Sequence, residues 1–274
     1  MKVEVNILVE NTTPAPGFVG EFGFAAVVTV EGKKFLFDTG LGNALMNNAA
    51  MAGIDLAQID ELIISHGHFD HTGAVLDFLA TGKKKIYAHS NIFVKRYAAA
   101  GDFKKEIGVP FPLAEIEAHQ AEIIYTDDFT EICSGVFLTG AIPRITDYED
   151  VGGNFLAEKD GELVPDNLED DMAMVIDHPD GLIIIDGCAH AGIINTIEYA
   201  RSRTGKTKVR AFIGGTHLIN ASEERIKKTA DVLRELDVQQ IIPCHCTGFN
   251  ATAALLHQLG ERVIKGETAM GFTF

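Results

Sequence analysis

Apolar and polar residues alternate over positions 2–9 (KVEVNILV), which predicts an opening strand. Residues 24–30 (FAAVVTV) and 33–37 (KKFLF) flank Glu31-Gly32, so they predict a hairpin closed by Asp38-Thr39-Gly40. Leu41, Leu45, Ala49 and Ala52 recur at helical spacing and predict a helix over 41–52. A short apolar strand is expected at 61–64, followed by helices at 73–80 and 90–100 around an extended piece at 85–88. Residues 101–118 contain Pro110 and Pro112 and read as irregular; 121–140 hold two or three strands. Residues 141–170, with Pro143, Gly152, Gly153, Gly161 and Pro165, read as one long loop of the kind that often carries function.

The last third has a clearer rhythm. Strands at 172–177 and 182–186 flank the turn Pro179-Asp180-Gly181. A helix at 191–202, a strand at 208–213, a helix capped by Ser222 and running to 236, a strand at 239–243 and a helix at 250–259 follow. Repeats, charge runs and linkers are absent. The expected fold class is therefore α/β, as one domain over 1–274 built from two similar halves, each strands first and then alternating strand and helix.

Composition narrows the function classes. The formal charge of −16 disfavours a nucleic-acid or anionic-membrane surface, though not an anionic small molecule held by a metal. No apolar stretch reaches the roughly 18 residues of a membrane span, and the strand-like start with Glu4 does not resemble a signal peptide. Four cysteines (Cys133, Cys188, Cys244 and Cys246) in a chain this long do not form a disulfide framework, so a reducing, cytoplasmic setting is expected.

The chemistry concentrates at His66-Gly67-His68-Phe69-Asp70-His71, between a strand and a helix. Three of the chain's 10 histidines and a carboxylate fall within six residues. His66 and His68 are two apart, so in an extended loop both imidazoles project to one side and can share an ion. Asp70 and His71 lie where the chain turns into the helix and can reach a second ion. Imidazole with carboxylate suits zinc first, and also iron or manganese. The plainer alternative is a polar turn in which Asp70 only caps the next helix.

HGHFDH resembles the HxHxDH signature of the metallo-β-lactamase superfamily, and Asp38-Thr39-Gly40 after its strand resembles that superfamily's first motif. Such a resemblance implies an αββα sandwich. A narrower likeness lies in NILVEN, FDTG, SHGHFDHTG, TGAIPR, GCAHAG, GGTHL and PCHCTG, in that order. These resemble the metal-dependent hydrolases of β-lactamase superfamily II, a subfamily that includes dihydropterin–ribofuranosylaminobenzene phosphate synthases.

The resemblance implies two divalent metal ions and a water-activating hydrolase acting on an ester or phosphoester-type small molecule, with a synthase-type transferase as the alternative. It extends the ligand set beyond His66, His68, Asp70 and His71. The middle motif, TGAIPR (139–144), lacks the usual His. His190, in Asp186-Gly187-Cys188-Ala189-His190, is expected to replace a missing ligand, ahead of Cys188; it can also be a plain residue of a helix-opening turn. His245 matches the late superfamily His and is assigned to the second metal. His217 in GGTHL is implied in the active site as ligand or proton donor to the leaving group, against a hydrogen-bonded loop histidine. Asp70 doubles as a group that orients the attacking water. Asp38 is expected behind a ligating His, fixing its tautomer, or else as a turn cap. Arg144 is expected to hold a substrate carboxylate or phosphate, or to be a surface charge.

Overall fold

The computed structural model describes all 274 residues. They divide into two compact units: Met1–Tyr125 with Phe155–Asp166 and Glu267–Phe274, and Thr126–Asn154 with Asn167–Gly266.

The first unit is built on a seven-stranded sheet. Val3–Val9 lies between Gly271–Thr273 and Ala25–Val30, and Lys33–Phe37 follows, all antiparallel. Glu61–Ile63, Lys85–Ala88 and Glu122–Tyr125 continue the sheet in parallel. The expected hairpin is present. Glu31 (φ 49°) and Gly32 (φ 85°) are both left-handed, the two-residue turn whose twist matches that of the flanking strands. Phe37, Ile63 and Tyr87 are in register, so the chain leaves three adjacent strands at one level. Asp38 and the Ser65-His66 segment emerge there, at the C-terminal ends where parallel sheets collect functional groups. Leu8, Val27, Leu36, Leu62 and Ile86 bury one face of the sheet against Leu45, Val75 and Phe78 from short helices.

Three expectations for this unit need correction. Residues 90–100 are not a helix: after a turn, Arg96–Ala100 is a strand of a separate four-stranded antiparallel sheet. The irregular stretch contains the strand Phe103–Glu106 and the helix Leu113–Ala118. The long loop contains a second hairpin of that small sheet, Phe155–Lys159 with Glu162–Pro165, turning at Asp160 (φ 53°) and Gly161 (φ 82°). Alanines favour helix in isolation, but cross-strand pairing of Ala98 with Phe155 and with Lys105 decides the outcome.

The second unit has a six-stranded sheet. Gln240–Pro243, Val209–Gly214 and Leu182–Asp186 are parallel; Ala173–Ile176, Val136–Leu138 and Thr130–Cys133 complete it antiparallel. Leu182–Asp186 is buried along its whole length, as expected of a strand covered on both faces. Ile193–Thr204, Glu223–Glu235 and Phe249–Leu259 are its helices, and Ile197, Ala230, Leu233 and Leu255 join Val209, Phe212 and Ile241 in the core. The Ser222 hydroxyl accepts from Arg225 N–H at 3.2 Å, the expected cap. Asp186, Gly214 and Pro243 are in register, so the segments carrying His190, His217 and His245 all start from one sheet end.

Candidate metal centre

In the first unit one carboxylate organises two histidines. Asp38 ends its strand in a left-handed conformation (φ 55°) and is fully buried. Its Oδ1 accepts from Ser65 N–H at 2.7 Å, and its Oδ2 accepts from the Ser65 hydroxyl and from His71 Nδ1, both at 2.7 Å. An ionised carboxylate only accepts, so His71 carries its proton on Nδ1 and presents a bare Nε2. Ser65 has given its one proton to Asp38. Its Oγ, 2.9 Å from His66 Nδ1, therefore accepts from that ring, and His66 Nε2 is likewise unprotonated. Asp38, expected behind one histidine, governs two through Ser65.

The rings converge. His66 Nε2 and His68 Nδ1 are 3.0 Å apart, and the His66 ring centroid is 4.5 Å from that of His68 and 4.3 Å from that of His71. Asp70 Oδ2 stands 3.9 Å from His71 Nε2. All four groups are buried. Gly67 is required by space: a Cβ there would lie 2.2 Å from the Ile92 carbonyl and 2.6 Å from Arg96 Nη1. Arg96 is buried and its Nε donates to Asp166 Oδ2 at 2.8 Å, so the small sheet places a fixed ion pair beside the histidine loop.

The second unit gathers a second cluster. His190 Nδ1 donates to the Val151 carbonyl at 2.7 Å, which again leaves Nε2 as the bare nitrogen. The His190 and His217 ring centroids are 4.3 Å apart. Ligand atoms of Cys188, His190 and His217 lie within 4.8 Å of one another, and so do those of Cys188, His245 and Cys246. Ala189 (φ 50°), His217 (φ 47°) and His245 (φ 47°) are all left-handed, a conformation that costs energy for residues with a Cβ and tends to cluster at functional sites. Asp186 steadies the loop, accepting from Ala189 N–H at 2.9 Å and Thr196 Oγ at 3.3 Å. Burial, then the charge of Asp171, pushes its carboxyl well above the usual range. Asp171 is raised by burial as well and accepts from Ala191 N–H at 2.7 Å.

Two groups went unnoticed in the sequence. Cys246 is buried. Burial alone would raise its thiol, but a hydrogen bond with the Cys188 side chain and the charges of His217 and His245 bring it well below the ordinary value. Only its place beside His245 could have hinted at this. Glu149 accepts from Ile194 and Asn195 N–H, at 2.9 and 3.0 Å, and so caps the helix Ile193–Thr204 from a distant loop. Arg144 donates to the Ala191 and Asn167 carbonyls at 3.3 and 2.9 Å, tying the same loop to the His190 segment.

The donor set fits divalent metals of zinc type. In the first unit imidazoles oriented by hydrogen bonds stand with the Asp70 carboxylate, all buried; in the second, buried His190, His245, Cys188 and Cys246 stand with half-buried His217.

The chain is similar to known proteins in sequence and in fold. The model of the metallo-β-lactamase superfamily matches residues 19–142. The chain is 33% identical over 259 residues to the 7,8-dihydropterin-6-methyl-4-(β-D-ribofuranosyl)-aminobenzene-5′-phosphate synthase of Methanocaldococcus jannaschii, covering 89% of this chain and 87% of that one. It is 29% identical to an uncharacterized protein of the same organism, covering 92% and 93%. The crystal structure of Tm1679, a metal-dependent hydrolase of the β-lactamase superfamily, matches with a TM-score of 0.86 and 26% identity over 98% of each chain. No helix is long and apolar enough to cross a membrane.

Proposed function

The chain belongs to the metallo-β-lactamase superfamily, and from that premise we propose that it is a metal-dependent hydrolase of a small, anionic ester or phosphoester. The proposed ligands are His66, His68, Asp70 and His71 in the first unit and His190 and His245 in the second, for two divalent ions, zinc first. The observation that carries this reading is the hydrogen-bonding of the rings. Asp38, Ser65 and Val151 hold the Nδ1 protons of His71, His66 and His190, which leaves Nε2 of each as the ligand atom.

Bound metals would supply a water acidified to near-neutral pKa and a Lewis acid for the scissile group. The chain's own residues do the rest. Asp70 would help hold a metal and orient the attacking water with its carboxylate. In this reading His217, 4.3 Å ring to ring from His190, gives a proton to the leaving oxygen. Arg144, its guanidinium fixed by two carbonyls, adds positive charge for an anionic substrate group. The likeness to Tm1679 supports hydrolysis.

A second reading is favoured by one observation, the 33% identity to the dihydropterin synthase. In that reading the metals and Arg144 would hold a diphosphate leaving group while a nucleophile other than water, the arene, attacks the carbon that the diphosphate leaves. Two assays separate the readings: turnover of a panel of phosphodiesters and esters, and condensation of a hydroxymethyl-dihydropterin diphosphate with ribofuranosyl-aminobenzene phosphate. Hydrolysis that disappears in His68→Ala supports the first reading; condensation without hydrolysis replaces it with the second.

A further inference from the structure

Residues 149–152 form a strap in the second unit, and each makes a different contact. Glu149 caps the helix Ile193–Thr204. The Asp150 carboxylate pairs with Arg225. The Val151 carbonyl accepts from His190 Nδ1. Gly152 lies against the His217 ring.

Arg225 is the unusual member of this set. Its side chain is only 7% exposed, although it sits in the first turn of a surface helix. Nη1 donates to Asp150 Oδ1 and Nη2 donates to the Asp150 carbonyl at 3.3 Å, while Nε is buried with no hydrogen-bond partner. Beside it the Tyr148 hydroxyl is also buried with no partner. Both residues line a cleft of about 580 Å³ together with Asn154, Asn220 and Ser222. Buried polar groups are nearly always satisfied, so two such donors on one cleft point to a missing acceptor. The same Asp150 oxygen that meets Arg225 also accepts Gly152 N–H at 2.7 Å. Yet the Asp150 side chain is 72% exposed, an arm with little to hold it except these contacts.

We propose that the cradle of Arg225 and Gly152 N–H is the subsite for the anionic group of the substrate, a carboxylate or phosphate, and that Asp150 holds it as an exchangeable stand-in. The fork geometry of guanidinium suits two oxygens of such a group, and a phosphate brings a third toward Tyr148. This rests on the hydrolase reading for its meaning, because the strap links the subsite to His190 and His217. Its chemistry does not depend on that reading. The cleft volume leaves room beyond the anion for the body of a small molecule.

Titration calorimetry with inorganic phosphate and, separately, succinate tests this on the metal-loaded protein. Removing the resident negative charge in Asp150→Asn tightens anion binding about tenfold; Arg225→Gln weakens it by at least about tenfold. Preference for one anion identifies the group. Equal affinity in wild type and Asp150→Asn, or wild-type affinity in a folded Arg225→Gln, overturns the proposal. If Arg225→Gln does not fold, Asp150→Asn decides alone. The titrations are repeated after chelation: anion binding that still responds to both substitutions keeps the subsite even if metal analysis refutes the hydrolase.

Discussion

Gly152 presses on His217: a Cβ at position 152 would stand 2.0 Å from His217 Nδ1, and the glycine's φ of +83° is itself costly for any other residue. Gly152→Ala must therefore move the ring or the strap. The expected result is a loss of about 1–3 kcal/mol in stability, from overpacking and backbone strain together, and at least a tenfold drop in turnover. Chemical denaturation and a kinetic assay on the same sample check it. A variant with wild-type values for both would mean that His217 is not held there.

Asp38 and Ser65 differ in reach. Asp38→Asn disturbs the Nδ1 proton of His71 directly and that of His66 through Ser65; Ser65→Ala disturbs His66 alone. Losing partners of this kind lowers metal affinity by about 10- to 100-fold. Competition with a chromogenic chelator should rank the variants wild type, Ser65→Ala, Asp38→Asn in falling affinity. The reverse order would contradict the proton assignment.

Arg96 and Asp166 are a buried pair. Removing one partner strands a charge, so Asp166→Leu should cost about 3–5 kcal/mol, whereas Arg96→Met combined with Asp166→Leu should cost less than Asp166→Leu alone. Urea unfolding of both variants measures this. A double variant at least as damaged as the single one would show that the pair's charge is not the issue.

Glu149 supplies a pH dependence. Burial raises its carboxyl above the ordinary 4.5, outweighing the N–H groups of Ile194 and Asn195 that favour the charged form. A carboxyl raised on folding binds its proton more tightly in the folded state. Its contribution to stability is therefore complete below pH 4.5 and declines as pH rises through the folded value. Glu149→Gln has no such proton to lose. The stability difference, wild type minus variant, should fall with rising pH above 4.5, and a difference flat across pH would refute the assignment.

Much of this was legible in the sequence because it is local. The Glu31-Gly32 turn announces itself in two residues, Ser222 caps its helix, and HGHFDH packs four donors into six positions after a strand. The α/β class follows from the same periodicity. The Asp160-Gly161 hairpin carried the same kind of signal as Glu31-Gly32 and was hidden by the prolines and glycines around it. What could not be read is non-local. Arg96–Ala100 has one local partner, Phe103–Glu106, but its other edge is paired by Phe155–Lys159, some sixty residues on. Glu149 caps a helix 45 residues away, and Cys246 reaches Cys188 over 58. No spacing rule encodes such partners.

If the two histidine clusters are metal ligands, metal analysis of wild type and His190→Ala, purified in parallel without added metal, will show it. About two equivalents of divalent metal per chain are expected in wild type and clearly fewer in the variant, with the fold intact by circular dichroism. One equivalent or none in wild type, unchanged by the substitution, would contradict it.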